Sequence, residues 1–413
     1  MFTAAMIRTA FVSAWLASGA LASAPASAEL PEHLVVDGIG PGGADFEVEG
    51  PGEPPITFNL LFGETVAMRN GVAFVSIPLS HGGRVAVLNQ TPTGWRGVQT
   101  LNAPIPDADF GRTITFRDGL VIVGDATSAY VYKRNSSGVW TLRQTLRPPV
   151  ADAVALFPVA LKYEGGTLLA SAFHDTLPNL VYVFELGADG RFVRRARLRA
   201  LDARPFDDFG RSLSMTKTAL VVGARGAAYI FRRNSLGDWV QTQKLTPVAT
   251  ATGFGASVAI DQDMIIVGAP QEDIETEFDT PDAHWAGGAA YVFLPVAGRY
   301  LESLRLRPRV DERFDYRNFG THVAMFDRYI AISAVGRPTF ISSAAEGIVF
   351  TYTRDGSTVL ARGIASSHFQ SASGNISLAL ANNWLMVGHL GDERCPFGCP
   401  GAATVYDVNR FQQ

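Results

Sequence analysis

The sequence contains few cysteines, few charged residues and no extended block of basic residues. Of its 413 residues only 2 are Cys and 18% are charged, and the formal net charge is -4. Two cysteines exclude a miniprotein stapled by several disulfides, and the near-neutral charge without Lys/Arg clusters excludes a typical nucleic-acid binder. Because 47% of the residues are hydrophobic, long disorder is also excluded. The composition indicates a globular protein with a large apolar core.

Residues 1–28 have the features of a secretory signal peptide. Arg8 is the only charge, an apolar run extends over 11–21, and Ala26-Ser27-Ala28 fits a cleavage site. The run is shorter than the roughly 20 apolar residues of a membrane span, so an uncleaved anchor or a buried helix is the weaker alternative. No later segment approaches that length. We therefore expect a mature chain from Glu29, without a membrane span, in the periplasm or outside the cell.

A Phe-Gly pair recurs along the chain. The pairs are Phe62-Gly63, Phe110-Gly111, Phe209-Gly210, Phe254-Gly255 and Phe319-Gly320, with degenerate copies at Phe157-Pro158 and Ser373-Gly374. In six copies a small residue lies 14 positions after the first residue of the pair. In the last copy, Gly388 lies 15 positions after Ser373. The mean repeat of about 52 residues is close to that of propeller blades.

Each copy predicts four short strands. In the second copy, an apolar run over 120–123 precedes an alternating small and aromatic segment over 129–132, and a turn follows at 135–138. The copy ends with Trp140 and, six residues later, Leu146. Seven such units predict an all-β fold, a seven-bladed β-propeller of four-stranded antiparallel sheets.

Closure of this ring requires a strand from the N-terminal part of the chain. The third strand of the last copy ends at Tyr406 and the sequence stops at Gln413, so the fourth strand is missing. The segment Asp45-Phe46-Glu47-Val48-Glu49 alternates as an outer strand does, and we expect it to complete blade seven and remove an exposed edge. Residues 29–413 are then one domain, with 29–56 as its leader and closing strand.

The repeat is similar to a known family. The segments 254–260, 266–270 and 288–293 resemble the FG-GAP repeat, which forms the blades of the integrin α headpiece and of many exported bacterial proteins. The resemblance covers nearly all of residues 57–410 and implies a propeller, but it implies little about activity. Integrin-type blades often carry an Asp-x-Asp-x-Asp-Gly calcium loop, whereas hairpins such as Arg117-Asp118-Gly119 contain too few oxygen ligands. We do not expect calcium in these hairpins.

One face of the predicted propeller is the expected binding surface. The loops between strands two and three of each blade emerge there together with the connections between blades, and they vary in length; we call this side the loop face. The candidate residues are His81, His174, Asp175, Arg225, His284, Trp285, Arg337 and His389. We expect a monomeric, non-catalytic interaction protein whose partner is a protein or a glycan.

Two loops on this face permit other chemistry. The segment 272–282 carries six acids, which form either a solvated loop or a calcium site with Asp279 and Asp282 as ligands; no other cofactor is expected. Cys395 and Cys399 are most simply a disulfide in an oxidising compartment, because a zinc site with His389 lacks a fourth ligand.

An enzyme is the alternative interpretation. Four of the candidates, His81, His174, His284 and His389, lie in predicted loops of the loop face, with Asp175 and Asp392 as acid partners. Such groups at a channel mouth are compatible with a polysaccharide lyase or glycosidase. The Ser214-x-x-Lys217 match to an acyl-enzyme motif falls on a predicted strand hairpin rather than on a helix, and other catalytic fingerprints are missing. No catalytic residue is therefore assigned.

Overall fold

Seven antiparallel sheets are arranged around a central channel. The structure is a computed structural model that describes residues 33–37, 63–77, 83–92, 94–105, 109–247, 251–272, 287–308, 314–338, 346–355, 358–370, 376–389 and 402–408. The innermost strand of every blade, which is β23 in blade six, contacts the innermost strands of both neighbouring blades, including the pair that joins blade seven to blade one. The expected seven-bladed β-propeller is confirmed.

The strands of the first four blades follow one another in sequence. Blade one contains β2 (Val66–Arg69), β3 (Val72–Ile77), β4 (Arg84–Thr91) and β5 (Gly94–Asn102). Blade two contains β6 (Thr113–Arg117), β7 (Leu120–Gly124), β8 (Ala129–Arg134) and β9 (Trp140–Leu146). After a 3-10 turn at Val150–Asp152, blade three contains β10 (Leu161–Glu164), β11 (Thr167–Ala172), β12 (Leu180–Leu186) and β13 (Phe192–Leu198). Blade four contains β14 (Ser212–Met215), β15 (Ala219–Ala224), β16 (Ala227–Arg233) and β17 (Trp239–Leu245).

The last three blades include the departures from this pattern. Blade five contains β18 (Ser257–Asp261), β19 (Met264–Ala269), β20 (Ala289–Val296) and β21 (Arg299–Leu306). Blade six contains β22 (Phe314–Arg317), β23 (Val323–Phe326), β24 (Tyr329–Pro338), β25 (Glu346–Asp355) and β26 (Thr358–Gln370). Blade seven contains β27 (Ile376–Ala381), β28 (Trp384–His389), β29 (Ala402–Asp407) and β1 (His33–Asp37).

Blade seven takes its outer strand from the N-terminal segment. β1 pairs antiparallel with β29, with His33 opposite Tyr406 and Asp37 opposite Ala402. The segment 45–49, expected in this position, lies outside the described residues. Blade six has five strands rather than four, because β24 extends past Ser333 and its free backbone groups pair with β22.

The aromatic and the aliphatic residue of each outer strand face different neighbours. Strict alternation places two residues six apart on the same face of a strand. In β9, however, a β-bulge shifts the register between Val131 and Tyr132 of the partner strand β8. Trp140 consequently packs in the core shared with blade one, and Leu146 packs in the core shared with blade three. The bulge lets one outer strand contribute to two cores.

The Phe-Gly pair forms the seam between two blades. Phe254 is fully buried and meets the rings of Tyr291 and Phe293 edge-on, at centroid distances of 5.4 and 6.1 Å. Gly255 has φ +87°, and a Cβ there would lie 2.2 Å from the carbonyl oxygen of Ala224 and 2.3 Å from that of Ala227 in the preceding blade. The backbones are therefore in direct contact, which only glycine permits.

Serine hydroxyl groups connect several of these seams. Ser212 donates a hydrogen bond to the carbonyl of Gly255, and Ser377 donates one to the carbonyl of Gly63. Ser377 pairs in register with Gly388, as Ser212 pairs with Gly223. When blade seven is aligned with blade four by this register, its repeat begins one residue later than Ser373. The distance from the start of the repeat to the small residue Gly388 is then 14, as in the other six copies.

Glutamine side chains connect neighbouring outer strands. Gln144 of β9 donates to the carbonyl of Phe192 in β13 and accepts from its N–H, at 2.9 and 2.8 Å. Gln99 bonds in the same two ways to Trp140, and Gln243 to Tyr300. Each amide thereby satisfies two backbone groups at the outside of the interface.

We expect Gly255→Ala to destabilise the protein much more than Gly226→Ala. Both glycines have positive φ, but nothing lies within 4 Å of a Cβ at Gly226. The left-handed backbone costs about 1–2 kcal/mol in either variant, and overpacking at Gly255 adds about 1–3 kcal/mol. Urea unfolding measures the difference. Equal losses in the two variants would mean that the seam tolerates a methyl group.

We expect Gln144→Leu to lower the free energy of unfolding by about 1–3 kcal/mol, because two backbone groups of Phe192 lose their partner. Arg143→Leu is the matched control, since Arg143 is exposed on the same strand and surface changes usually cost less than about 0.5 kcal/mol. Urea unfolding of both variants tests this. Similar stabilities would show that water replaces the glutamine.

Candidate functional site

A cavity of about 660 Å³ opens at the end of the channel that lies on the loop face. Its wall includes the residue that follows the Phe-Gly position in each of the seven blades. These residues are Glu64, Arg112, Val159, Arg211, Ala256, Thr321 and Ile376. Charged side chains stand in blades one, two and four, so the mouth has a charged sector and a more apolar sector.

The charged sector combines acidic and basic side chains that are exposed at the cavity wall. Partial loss of hydration raises the pKa of Glu64, and the nearby charge of Arg112 opposes that shift. Burial lowers the pKa of Arg211, while Asp208 favours its charged form. Within the described residues, neither Arg112 nor Arg211 has a side-chain hydrogen bond or ion pair at contact distance. Both guanidinium groups are therefore available to a ligand that carries a carboxylate or another acidic group.

Arg225, one of the predicted residues, contacts Asp208, which lines this cavity. Its guanidinium donates two hydrogen bonds to one carboxylate oxygen of Asp208, at 3.1 and 2.8 Å. Its backbone N–H is bonded to the carbonyl of Asp207. The Arg225 side chain is 68% exposed, so a ligand at the mouth has access to it.

His322 is the most deeply buried ionisable group of the mouth. Its place on the first strand is held by Ser, Thr or Ala in the other blades, such as Ser212 and Ser257. Burial lowers its pKa to about 4, and its Nδ1 is buried without a hydrogen-bond partner among the described residues. The imidazole is therefore neutral at pH 7 and presents a free nitrogen near the channel.

Two more of the predicted residues have described side chains. His174 is buried, its N–H donates to Asn179 Oδ1, and its Nε2 has no partner among the described residues. Asp175 is exposed. Neither residue lines the cavity, so the predicted His174–Asp175 pair is peripheral to it.

The remaining predicted residues are described in part or not at all. His389 ends β28 with its backbone opposite Ile376 at the mouth, and Arg337 pairs with Asp315 across β24 and β22. The following lie outside the described residues: His81, Asp279, Asp282, His284, Trp285, Asp392, Cys395 and Cys399. The cysteines of the expected disulfide and the ligands of the expected calcium loop therefore lie outside the described residues. Within the part of the chain that is described, no group of three His, Cys, Asp or Glu side chains is placed to hold a metal ion.

The first acid of the acidic segment has a structural role. Glu272 is buried and accepts a hydrogen bond of 2.5 Å from the hydroxyl of Tyr291. It also forms ion pairs with Arg305 and with Arg307, the latter at 3.2 Å. Equivalent Tyr–carboxylate bonds join Tyr130 to Asp125 and Tyr182 to Asp152. Glu272 thus takes part in a tyrosine–carboxylate hydrogen bond that recurs in several blades, rather than serving as a metal ligand.

The sequence contains an indication of the mouth residues that motif reasoning missed. Glu64, Arg112 and Arg211 each stand directly after a Phe-Gly pair. The Phe-Gly pair accounts for the fold, and the residue after it is not part of that motif. A charged residue at this position nevertheless indicates a functional site at the channel mouth, because alternating burial predicts an apolar or small side chain there.

Comparison with protein families agrees with this architecture. The model of the FG-GAP repeat matches residues 192–234 and 239–293. The chain is a β-propeller with FG-GAP repeats. Each matched unit of this FG-GAP propeller begins on the outer strand of one blade and ends on the third strand of the next. It therefore spans the seam between blades. No curated protein matches the chain.

Solved structures also resemble the FG-GAP propeller. The WD40 domain of Toxoplasma gondii coronin is 8% identical with a TM-score of 0.54, covering 92% of this chain and 88% of that one. A protein from Lactobacillus plantarum is 14% identical with a TM-score of 0.49, covering 73% and 84%. PorZ, a surface component of the type-IX secretion system of Porphyromonas gingivalis, is 11% identical with a TM-score of 0.48, covering 84% and 37%. The coronin likeness shows a common fold and nothing about function.

The secondary structure of the FG-GAP propeller is almost entirely β. Among the described residues, no helix has the length and apolar character required to cross a membrane. Propellers are interaction scaffolds in general, and FG-GAP repeats are typical of extracellular and exported proteins.

We expect the stability of the protein to fall as the pH decreases from about 6.5 to 4. In this window the unfolded chain protonates His322, whereas the folded protein, with its pKa of about 4, does not. The loss amounts to about 3 kcal/mol at pH 4. Because carboxylates titrate in the same range, the measurement is the difference in unfolding free energy between the wild type and His322→Gln across this window. Parallel pH profiles would contradict a buried, neutral imidazole.

Proposed function

We propose that this chain is an exported, non-catalytic binding protein that engages a protein or a glycan at the loop-face mouth of its channel. The observation that carries the proposal is the cavity of about 660 Å³ whose wall is charged in blades one, two and four and more apolar elsewhere. A repeated scaffold with a non-repeated mouth is typical of a specific binding surface.

The chemistry of the mouth favours a ligand with an acidic group. Arg112 and Arg211 reach the cavity without an ion-pair partner at contact distance among the described residues, and Arg225 adds a third guanidinium beside Asp208. Asp208 is already bonded to Arg225, and Glu64 is the remaining acid that lines the cavity with Arg112 and Arg211. An aspartate or glutamate of a partner protein, or an acidic sugar, would therefore find more positive than negative charge.

Location and assembly are part of the same proposal. Residues 1–28 have the composition of a signal peptide, and we infer that residues 29–413 form one exported propeller domain. The ring obtains all seven blades from one chain, which supports a monomer as the functional unit.

A photo-crosslinking experiment tests the site. A benzoylphenylalanine is introduced in place of Gln271, which lines the mouth, and as a matched control in place of Lys217, at the opposite end of the channel. We expect envelope extract to give a discrete adduct from position 271 alone. The double substitution Arg112→Ser and Arg211→Ser in the crosslinker variant should reduce adduct yield at least tenfold with an unchanged thermal midpoint.

The outcome separates the alternatives. A protein adduct identifies a protein partner, and binding to an acidic polysaccharide array that requires both arginines identifies a glycan. Equal adducts from positions 271 and 217 would contradict a loop-face site. Depolymerisation of a polysaccharide by the wild-type protein would contradict the non-catalytic assignment.

A further inference from the structure

The opposite end of the channel contains a second cavity, of about 490 Å³. It lies among the hairpins that connect the first and second strands, and we call this side the hairpin face. Basic side chains of blades one to four line it, namely Arg69, Arg117, Lys162 and Lys217. Its acidic residues are Glu164 of blade three, Asp261 of blade five and Asp327 of blade six. The four bases therefore lie in consecutive blades, and of the three acids only Glu164 lies among them.

Lys162 occupies a layer of the inner strands that is otherwise made of small residues. It pairs in register with Leu169 on the second strand of its blade. The residues with the same register in the other six blades are Ala67, Thr115, Ser214, Ala259, Ala324 and Ala379. Small side chains are sufficient for the inner strands to pack at this level. Packing therefore does not explain a lysine in blade three.

The acids of the cavity are largely engaged by other groups. Glu164 forms an ion pair of 2.5 Å with Arg117. Asp261 accepts a hydrogen bond of 2.5 Å from the backbone N–H of Asp327. Gln262 donates a long bond of 3.5 Å to the Asp327 carboxylate. One carboxylate, that of Glu164, thus lies on the basic side of the channel.

The basic groups in turn have unused donors. Within the described residues, Lys162 makes no side-chain hydrogen bond or ion pair, and Arg117 Nε is buried without a partner. The guanidinium of Arg69 lies over the ring of Phe326, 5.5 Å from its centroid, so it extends across the axis from blade one to blade six. Three cations and one carboxylate, that of Glu164, consequently line one cavity.

Burial, together with a neighbouring cation, disfavours the charged forms of Lys162 and Arg69. Burial lowers the pKa of Lys162; Glu164 opposes this shift, and Arg117 adds to it. Burial also lowers the pKa of Arg69, and the charge of Arg117 contributes in the same direction. An anion placed among these groups would reverse both effects.

We propose that the hairpin-face cavity binds a small multivalent oxyanion between Arg69, Arg117 and Lys162. Guanidinium groups donate paired hydrogen bonds to carboxylate and phosphate oxygens, and a lysine supplies a compact positive charge. The cavity has room for inorganic phosphate or for a tricarboxylate such as citrate. This site is separate from the proposed loop-face mouth and does not depend on it.

The experiment measures binding of inorganic phosphate and of citrate to the full chain by isothermal titration calorimetry, with the thermal midpoint as a second readout and sodium chloride at equal ionic strength as the reference. The wild type should bind at least one of the two anions. Lys162→Met should weaken that binding at least tenfold and, without anion, raise the thermal midpoint. Lys133→Met, an exposed lysine on β8, removes the same charge and should leave binding unchanged.

A second variant and the choice of anion make the outcome of the binding experiment decisive. Arg69→Gln provides a second variant that should weaken binding, should Lys162→Met fold poorly. Binding of phosphate alone or of citrate alone supports the site and assigns the phosphate or carboxylate chemistry of its ligand. The proposal would be overturned if phosphate and citrate shifted the thermal midpoint of the wild type no more than sodium chloride does. It would also be overturned if Lys162→Met and Arg69→Gln both bound the anion as tightly as the wild type.

Discussion

The backbone contact at the Phe-Gly seam is the constraint on which the propeller depends. At Gly255 the chain approaches two carbonyl groups of the preceding blade so closely that no Cβ fits. Behind it, Phe254 fills the space against Tyr291, and in front of it Ser212 bonds to the Gly255 carbonyl. Because backbone positions on both sides are fixed, this contact sets the distance between blades. Repetition of that distance sets the width of the channel.

The same constraint leaves specific positions free to vary. The residue after the glycine and the ends of the inner strands face the channel rather than the neighbouring blade. Arg112 and Ala256 occupy equivalent places on the loop face, as do Lys162 and Ala259 in the channel. A scaffold with repeated seams therefore carries an unequal set of charges without a change in its packing. Function in such a ring depends on departures from the repeat.

This division explains what the sequence predicts and what it does not. The number of blades and the order of strands are predictable, because one packing requirement recurs along the chain as Phe-Gly. The closing strand is not, since β1 occurs once and has only five residues to indicate its partner. The sequence also does not predict that Trp140 and Leu146 pack against different neighbouring blades. The β-bulge changes the side of the strand on which a residue lies, but it does not change the spacing of the two residues in the sequence.

The loop-face mouth was harder to predict for a related reason. Glu64, Arg112 and Arg211 are distant in sequence and meet only when the ring closes. The predicted histidines belong to connections whose lengths vary in the sequence, so the repeat does not indicate their side-chain positions. Arg225 lies in the tight turn between β15 and β16, which holds it beside Asp208. A short connection is held in position by the two strands that it joins.

The two channel residues that break the repeat oppose stability in the same way. His322 stands in a layer of Ser, Thr and Ala and remains neutral because it is buried; Lys162 stands in a similar layer and faces other cations. The residues of the other blades show that a small side chain packs adequately at both levels. Polar groups that cost stability without improving packing are expected where a ligand compensates for them. The ligands proposed for the two ends of the channel would compensate for these costs.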